Sequence, residues 1–292
     1  MDKAVIIAIG DSLMAGDNAR IVNSTRPNPR PFGSPAPRVH IYGRWNDPNA
    51  QVRLGNAGYS GPAWTPCVPD TLNWDYLGAS PVYSLSSALA RMYGIKNLYV
   101  IYFAVPGSDA SRLHPVPAAS WHPTVPNGLF QRFINYYLKP ALATAELQTG
   151  GIPLIGIFGS FGQNSTNPVF DISACNDLAH DMETIVSRID EEIGTGEANG
   201  FLPTVVMHRN PVDPSSVPPP FTAERTAIVR AQQELWRSRG DNSTQRRGLA
   251  WLDNVSIETG DTVHPSHDGQ LDMGLRDFYA YASAGISLPI IP

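Results

Sequence analysis

Cysteines and charged residues are scarce in this 292-residue sequence. The two cysteines, Cys67 and Cys175, lie in different segments with no CxxC or histidine-rich spacing, so no metal site is indicated and the thiols could be free or paired. Only 16% of the residues are charged, the net charge is -5 and no basic cluster occurs. This balance argues against nucleic acid or an anionic membrane surface as a partner and favours a neutral molecule.

A hydrophobic run long enough to cross a membrane is also missing. Met1-Asp2-Lys3 precede an apolar run that is too short for a span, and the small-residue cleavage site of a signal peptide is absent. We therefore expect a cytoplasmic protein, or a secreted or virion-associated one whose leader is absent. The sequence does not indicate the oligomeric state.

The composition favours one globular domain. Apolar residues make up 42% of the chain, which is enough for a sizeable core, and neither a repeat nor a clear linker divides it. We predict a single domain over residues 1–292 with long proline-rich loop insertions at about 18–80 and 208–221.

The chain is organised around the stretch from Ala4 to Gly16. Six apolar residues, Ala4 to Ile9, fit a strand buried on both faces in the centre of a parallel sheet. Gly10 permits a tight turn, and Ser12 then follows the carboxyl end of the strand, where open α/β sheets bind their ligands. The Ser12 hydroxyl is well placed to be a nucleophile, whereas the alternative interpretation is a turn with a helix cap.

Strands and helices alternate along most of the chain. The pattern predicts further strands at 97–105, 153–158, 204–207 and 249–252, with a possible short strand at 39–42. Helices are predicted over about 129–148, with a bend or restart at Pro140, and over about 222–236, with Ile228, Ala231 and Leu235 facing inward. This alternation predicts a parallel sheet covered by helices on both faces.

Polar residues follow several of these strands and form a candidate catalytic site. Asp261 and His264 are three residues apart just before the last helix, so the carboxylate can accept a hydrogen bond from one ring nitrogen while the other faces the rim of the sheet. His264 would then remove the Ser12 proton as the hydroxyl attacks a carbonyl. His267 is a rival base, but no acid stands three residues before it, which makes it a rim residue.

Negative charge on the attacked carbonyl oxygen requires preset hydrogen-bond donors. The candidates for this oxyanion hole are the backbone N–H groups of Ser12 and Gly107 and the side-chain amide of Asn164, since each residue follows an apolar strand. Each residue also has a structural interpretation, as a turn or loop residue. The conjunction of these residues, in this order and at strand ends, favours acyl transfer.

These residues resemble the SGNH (GDSL-type) hydrolase family, and more closely its sialate O-acetylesterase and acetylxylan esterase branch. The matching blocks are Gly10-Asp11-Ser12-Leu13, Gly162-Gln163-Asn164 and Asp261-Thr262-Val263-His264-Pro265. The resemblance spans nearly the whole chain. It implies a flavodoxin-like three-layer α/β/α sandwich and deacetylation of carbohydrate, with neither a metal nor an organic cofactor.

The chain departs from the branch at three places. Phe161-Gly162-Gln163-Asn164-Ser165 stands where the branch usually has Gln-Gly-Glu-x-Asp, and Pro106-Gly107 replaces a double glycine. A competing second block at 56–61 makes Gly61 the alternative oxyanion donor. We prefer Gly107, because a helix and a strand separate Gly61 from the third block.

The sequence therefore predicts a serine esterase that acts on an acetylated carbohydrate through an acetyl-enzyme. The residues that follow strands at the same rim are candidate substrate contacts: Asp109, His114, Trp121, His208 and Arg209. Buried structural roles are as plausible for each of them. The alternatives are a broad-specificity GDSL lipase or thioesterase and a non-catalytic carbohydrate-binding protein on the same scaffold.

Overall fold

A computed structural model describes residues 1–16, 38–42, 64–67, 80–148, 153–193, 203–240, 245–257 and 263–285. The predicted site residues Gly61 and Asp261 lie outside these ranges, as do most of residues 18–80. The single domain and its two loop insertions therefore stay predictions.

One sheet joins all the strands of the described residues. The strands are β1 (Lys3–Gly10), β2 (Val39–Tyr42), β3 (Thr65–Pro66), β4 (Asn97–Ala104), β5 (Leu154–Ser160), β6 (Thr204–Arg209) and β7 (Arg246–Trp251). Their order across the sheet is β3-β2-β4-β1-β5-β6-β7. All neighbours are parallel except β3, a two-residue strand that pairs antiparallel with β2 at one edge.

Helices lie between the strands along the chain. They are α1 (Ser12–Ala15), α2 (Pro81–Met92), α3 (Leu129–Arg132), α4 (Lys139–Leu142), α5 (Ala145–Gln148), α6 (Ser173–Asn176), α7 (Leu178–Ile193), α8 (Ala223–Ser238) and α9 (His267–Ser283). Helix α9 packs against α2, and α7 packs against α8. The predicted α/β sandwich with a central parallel sheet is confirmed.

The core lies along the central strands. Every residue of β1 from Ala4 to Gly10 is buried, as the continuous apolar run predicts for a strand covered on both faces. After β1 the chain forms β2, β3 and β4 on one side of it and then β5, β6 and β7 on the other. The carboxyl end of β1 is therefore the switch point at which folds of this kind bind ligands.

The helix predicted over 129–148 is interrupted. A π-helical segment, Phe133–Leu138, joins α3 to α4, and the Lys139 N–H donates to the carbonyl of Ile134. Pro140 has no N–H to continue the regular hydrogen-bond pattern. The bend predicted at this proline is therefore taken up by a wide helical turn just before it.

Of the residues predicted to face inward on α8, Ile228 is partly buried against the core, whereas Ala231 and Leu235 are exposed, so the prediction is wrong for those two. The helix buries a face made of Thr226, Val229, Arg230, Gln233 and Trp236. Leu235, which was predicted to face inward, is 44% exposed. The Gln233 amide donates to the Phe161 carbonyl at 2.8 Å and accepts from the Asn210 N–H at 2.8 Å. Polar side chains can face inward here because they bind the backbone of loops at the rim, a pattern that hydrophobic periodicity does not detect.

Candidate active site

The turn between β1 and α1 presents Ser12 at the carboxyl rim of the sheet. Gly10 has a φ of +146°, and a Cβ added to it would lie 2.5 Å from the Ser160 carbonyl oxygen. Only glycine fits here, because β5 approaches the turn so closely. Ser12 is the first residue of α1, where the backbone N–H has no partner within the helix.

Asp11 caps this short helix, so the turn carries a helix cap as well as the candidate nucleophile. Its Oδ1 accepts a hydrogen bond from the Leu13 N–H at 3.0 Å. Burial raises the pKa of the Asp11 carboxyl to about 7, and the nearby Ser160 hydroxyl and the Leu13 N–H oppose this rise. An aspartate directly before the first residue of a helix is typical of an N-cap, so the Asp-Ser order in the motif indicates this role.

We expect Asp11→Asn to flatten the pH dependence of stability. Asp11 keeps its proton in the folded protein between its ordinary pKa of 3.8 and about 7, whereas the unfolded chain loses it. The free energy of unfolding therefore falls as pH rises through that window. Asparagine cannot titrate but can still cap the helix, so this part of the fall should disappear. Urea unfolding at several pH values measures it.

Asp11→Ala is the matched control, since it removes both the titration and the cap. It should lower the free energy of unfolding by about 1 kcal/mol more than Asp11→Asn does. An unchanged slope in Asp11→Asn would mean that other groups titrate in this range.

His264 lies beside Ser12 although 252 positions separate them in the chain. Its Nε2 is 3.1 Å from the Ser12 Oγ, and Ser12 is only 4% exposed. His264 comes just before α9, whose N-cap Ser266 accepts a hydrogen bond from the Gly269 N–H. The imidazole is within the distance that proton transfer from the hydroxyl requires.

Ser108 connects the loops that follow three adjacent strands. Its hydroxyl donates to the Gly10 carbonyl at 3.2 Å and accepts from Trp121 Nε1 at 3.0 Å. Its own carbonyl accepts from Asn164 Nδ2 at 2.8 Å. Gly10 ends β1, whereas Ser108 follows β4 and Asn164 follows β5. The sequence analysis missed this serine, although it stands next to the predicted oxyanion glycine.

Gly107 faces open space next to this connection. It has a φ of +75°, and a Cβ added to it would meet no atom of the described residues within 4 Å. The His114 Nε2 lies 3.0 Å from the Gly107 carbonyl oxygen, and the Val116 N–H donates to His114 Nδ1 at 2.9 Å. Because Nδ1 accepts, Nε2 carries the proton of the neutral ring and donates to Gly107. His114 thereby fixes the orientation of the peptide between Gly107 and Ser108.

Asp109 is fully buried and holds two rim loops together. Its Oδ2 accepts from the Ser165 N–H at 2.7 Å and from the Ser165 hydroxyl at 2.8 Å, and its Oδ1 accepts from the Ala110 N–H at 2.6 Å. Burial raises the pKa of Asp109, and the bonds from Ser165 and Ala110 oppose the rise. Ser165 is one of the residues that depart from the related motif, so this bond anchors the altered segment beside Asn164.

Trp121 and His208 lie in the interior rather than on an open surface. Trp121 is fully buried against the Phe103, Phe133 and Phe161 rings. His208 is buried with its Nε2 2.9 Å from Asp277 Oδ1. Both side chains therefore make buried contacts within the protein, and contact of either one with substrate stays a prediction.

Arg209 ends β6 at the rim, where it pairs with two acidic residues. Its Nε donates to Glu234 at 2.8 Å and its Nη1 donates to Asp253 at 2.9 Å. His267, the rival base, is the first residue of α9 and is buried. Cys67 and Cys175 are buried free thiols.

Two general features of the described ranges bear on ligands and membranes. Their histidine, cysteine, aspartate and glutamate side chains form no group of three or more that could hold a metal ion. Their helices include none that is both long enough and apolar enough to cross a membrane.

Comparison with known proteins relates the chain to others by fold. No family model and no curated protein matches it. Among solved structures it is similar to a protein from Arabidopsis thaliana, with a TM-score of 0.62, 10% identity and coverage of 96% of this chain and 98% of that one. It is similar to NanS, with a TM-score of 0.62, 11% identity and 97% coverage of both chains.

A third similar structure is Est24, a carbohydrate acetylesterase from Sinorhizobium meliloti, with a TM-score of 0.51, 13% identity and 96% coverage of both chains. Identities this low establish a shared fold and nothing more. The resemblance to SGNH hydrolases and carbohydrate acetylesterases that the motifs indicated is confirmed at the level of the fold.

Proposed function

We propose that the protein is a serine esterase that removes O-acetyl groups from a carbohydrate. The observation that carries the proposal is the 3.1 Å contact between Ser12 Oγ and His264 Nε2 at the carboxyl rim of β1. A hydroxyl paired with an imidazole is the arrangement that nucleophilic acyl transfer requires. The fold similarity to a carbohydrate acetylesterase supports the choice of acyl group and substrate class.

In the first half of the proposed reaction, Ser12 Oγ attacks the acetyl carbonyl carbon while His264 Nε2 takes the hydroxyl proton. The carbonyl oxygen becomes an oxyanion that the N–H groups of Ser12 and Gly107 and the Asn164 amide bind. The bond to the sugar oxygen then breaks, and the imidazolium returns the proton to that oxygen. The sugar leaves as an alcohol and the acetyl group stays on Ser12.

Water completes the proposed cycle. His264 removes a proton from a water molecule as it attacks the acetyl-enzyme, and the released Ser12 oxygen recovers that proton. Asp261 is proposed, from its spacing in the sequence, to orient the imidazole and stabilise its charged form.

Acetate release tests this function. The substrates are acetylated xylan, O-acetylated sialic acid and p-nitrophenyl acetate, with p-nitrophenyl dodecanoate as the long-chain comparison. We expect release from at least one acetylated carbohydrate and slower cleavage of the dodecanoate than of the acetate. Equal rates on both p-nitrophenyl esters would indicate a lipase or thioesterase. Glycan binding without acetate release would indicate a binding protein.

A further inference from the structure

Trp251, the last residue of β7, is exposed to solvent, and its contacts with other described residues hold it in place. It is 53% exposed, and the Arg209 guanidinium lies over its ring at 4.2 Å from the centroid. Its carbonyl accepts a hydrogen bond from Arg276 Nη1 at 2.8 Å. A guanidinium over an indole face is a favourable cation–π arrangement, which restricts the motion of both groups.

The guanidinium that lies over Trp251 is itself fixed. Glu234 binds its Nε at 2.8 Å, and both Asp253 oxygens bind its Nη1, at 2.9 and 3.0 Å. Arg230 binds the same Asp253 carboxylate at 2.9 Å. The indole therefore rests on a network of charged groups rather than on mobile apolar side chains. A platform ordered in this way loses little conformational freedom when a ligand binds to it.

A cavity of about 390 Å³ lies beside this platform, along β7 and α9. Trp251, Arg276 and Tyr279 are among the residues that line it. Tyr279 is 64% exposed, and Asp272, which binds Arg276, is partly exposed. Sugar rings present an apolar face, which an aromatic ring can cover, and a rim of hydroxyls, which carboxylates and guanidinium groups can bind. The lining holds Trp251, Tyr279 and three arginines, Arg237, Arg247 and Arg276. Its aromatic rings can cover the apolar face of a sugar, and its guanidinium groups can donate to the sugar hydroxyls.

The platform lies at the same rim of the sheet as Ser12. Strand pairing places Gly10 beside Ser160, Gly159 beside Met207, and Arg209 beside Trp251, so three strand spacings separate the ends of β1 and β7. At the usual spacing between strands this is about 14 Å. Several linked sugar rings cover that distance, and a single ring does not.

We propose that Trp251 forms a distal sugar subsite that binds one unit of an extended glycan while an acetyl group of another unit reaches Ser12. The inference rests on the proposed function and adds to it: the substrate is an oligosaccharide or polysaccharide chain. Its binding energy comes from stacking on the indole and from hydrogen bonds to the half-exposed charged groups around it. A single acetylated sugar cannot use this energy.

Kinetics with substrates of different length test the subsite. Trp251→Ala should lower kcat/KM on acetylated xylan about tenfold, mainly through a higher KM, because one aromatic stacking contact is lost. It should leave p-nitrophenyl acetate hydrolysis unchanged. Trp251→Phe, which keeps a ring, should retain most of the activity on the polymer. Tyr136→Ala is the matched control, since Tyr136 is an equally exposed aromatic residue, at 54%, outside the cavity lining.

Binding measurements separate failure of the subsite from failure of the proposed function. Affinity electrophoresis in acetylated xylan, with each substitution placed in a Ser12→Ala background, needs no turnover. The subsite is supported if the Ser12→Ala protein is retarded and the added Trp251→Ala substitution abolishes this retardation, even if no acetate is released. Equal retardation of both proteins, no retardation of either, or an equal loss of activity on xylan and on p-nitrophenyl acetate would overturn it.

Discussion

Ser12→Ala and His264→Ala should each lower acetate release at least about a thousandfold while leaving the protein folded. Ser12 Oγ supplies the bond to the acetyl group, and it lies 3.1 Å from the His264 Nε2 that would take its proton. Without Ser12 or His264, only the oxyanion donors and substrate binding still stabilise the transition state. Initial rates on p-nitrophenyl acetate and the melting temperature measure the two effects separately.

Matched controls separate catalysis from folding. Ser84 is a buried serine on α2 whose hydroxyl donates to the Leu271 carbonyl at 2.7 Å, so Ser84→Ala shows what the loss of a buried hydroxyl costs in stability. His180 is an exposed histidine on α7, and His180→Ala should be silent. Activity that survives Ser12→Ala would mean that the site is misplaced, and the roles of Gly107, Asn164 and Asp261 would be withdrawn with it.

The double variant Ser12→Ala, His264→Ala tests the same hypothesis in a further way. If Ser12 and His264 act as one unit, the combined substitution should lower the rate no further than either single substitution does. Multiplicative losses would instead indicate that the two residues act in separate steps.

The sequence located Ser12 because of a property of parallel sheets. The carboxyl ends of all the strands lie at one rim, so a polar residue that follows an apolar run can be assigned to that rim without coordinates. Ser12, Gly107 and Asn164 were placed in this way. The bond between Ser12 and His264 crosses from β1 to the segment before α9, and it was inferred from chemistry, not from periodicity.

The connections between loops could not be predicted. The Ser108 hydroxyl binds both the Gly10 carbonyl and the Trp121 indole, which depends on how closely three loops approach one another. Trp121 and His208 are candidate substrate contacts in the sequence because they follow strands at the same rim. Inside the folded protein Trp121 Nε1 binds Ser108 and His208 Nε2 binds Asp277, and these partners become visible only once the loops are packed together.

The exposure of the Trp251 indole could not be predicted from the sequence either. The sequence places it in a short apolar strand near 249–252, where a tryptophan is expected to be buried. In the sheet, β7 is the last strand, and Trp251 ends it beside Arg209. Strand order therefore determines its exposure, and local sequence carries no information on strand order.

Asn164→Ala should lower kcat about a hundredfold with little change in KM. An asparagine amide has two donor hydrogens, and the bond from Nδ2 to the Ser108 carbonyl at 2.8 Å uses one of them. The second is proposed to bind the oxyanion, which exists only after Ser12 attacks, so its loss weakens the transition state more than the ground state. Steady-state kinetics on p-nitrophenyl acetate separate the two parameters.

Asn164→Asp and Asn167→Ala sharpen this test. The aspartate keeps the size of the side chain but, when ionised, has no hydrogen to donate and repels an oxyanion, so it should be at least as slow as the alanine variant. Asn167 lies in the same loop and its side-chain Oδ1 accepts from the Val169 N–H at 3.0 Å, so the loss of this side chain should leave the rate unchanged. A rise in KM at constant kcat in Asn164→Ala would instead assign the amide to substrate binding. A change of only a few fold would place the oxyanion donors elsewhere, with Gly61 the first alternative.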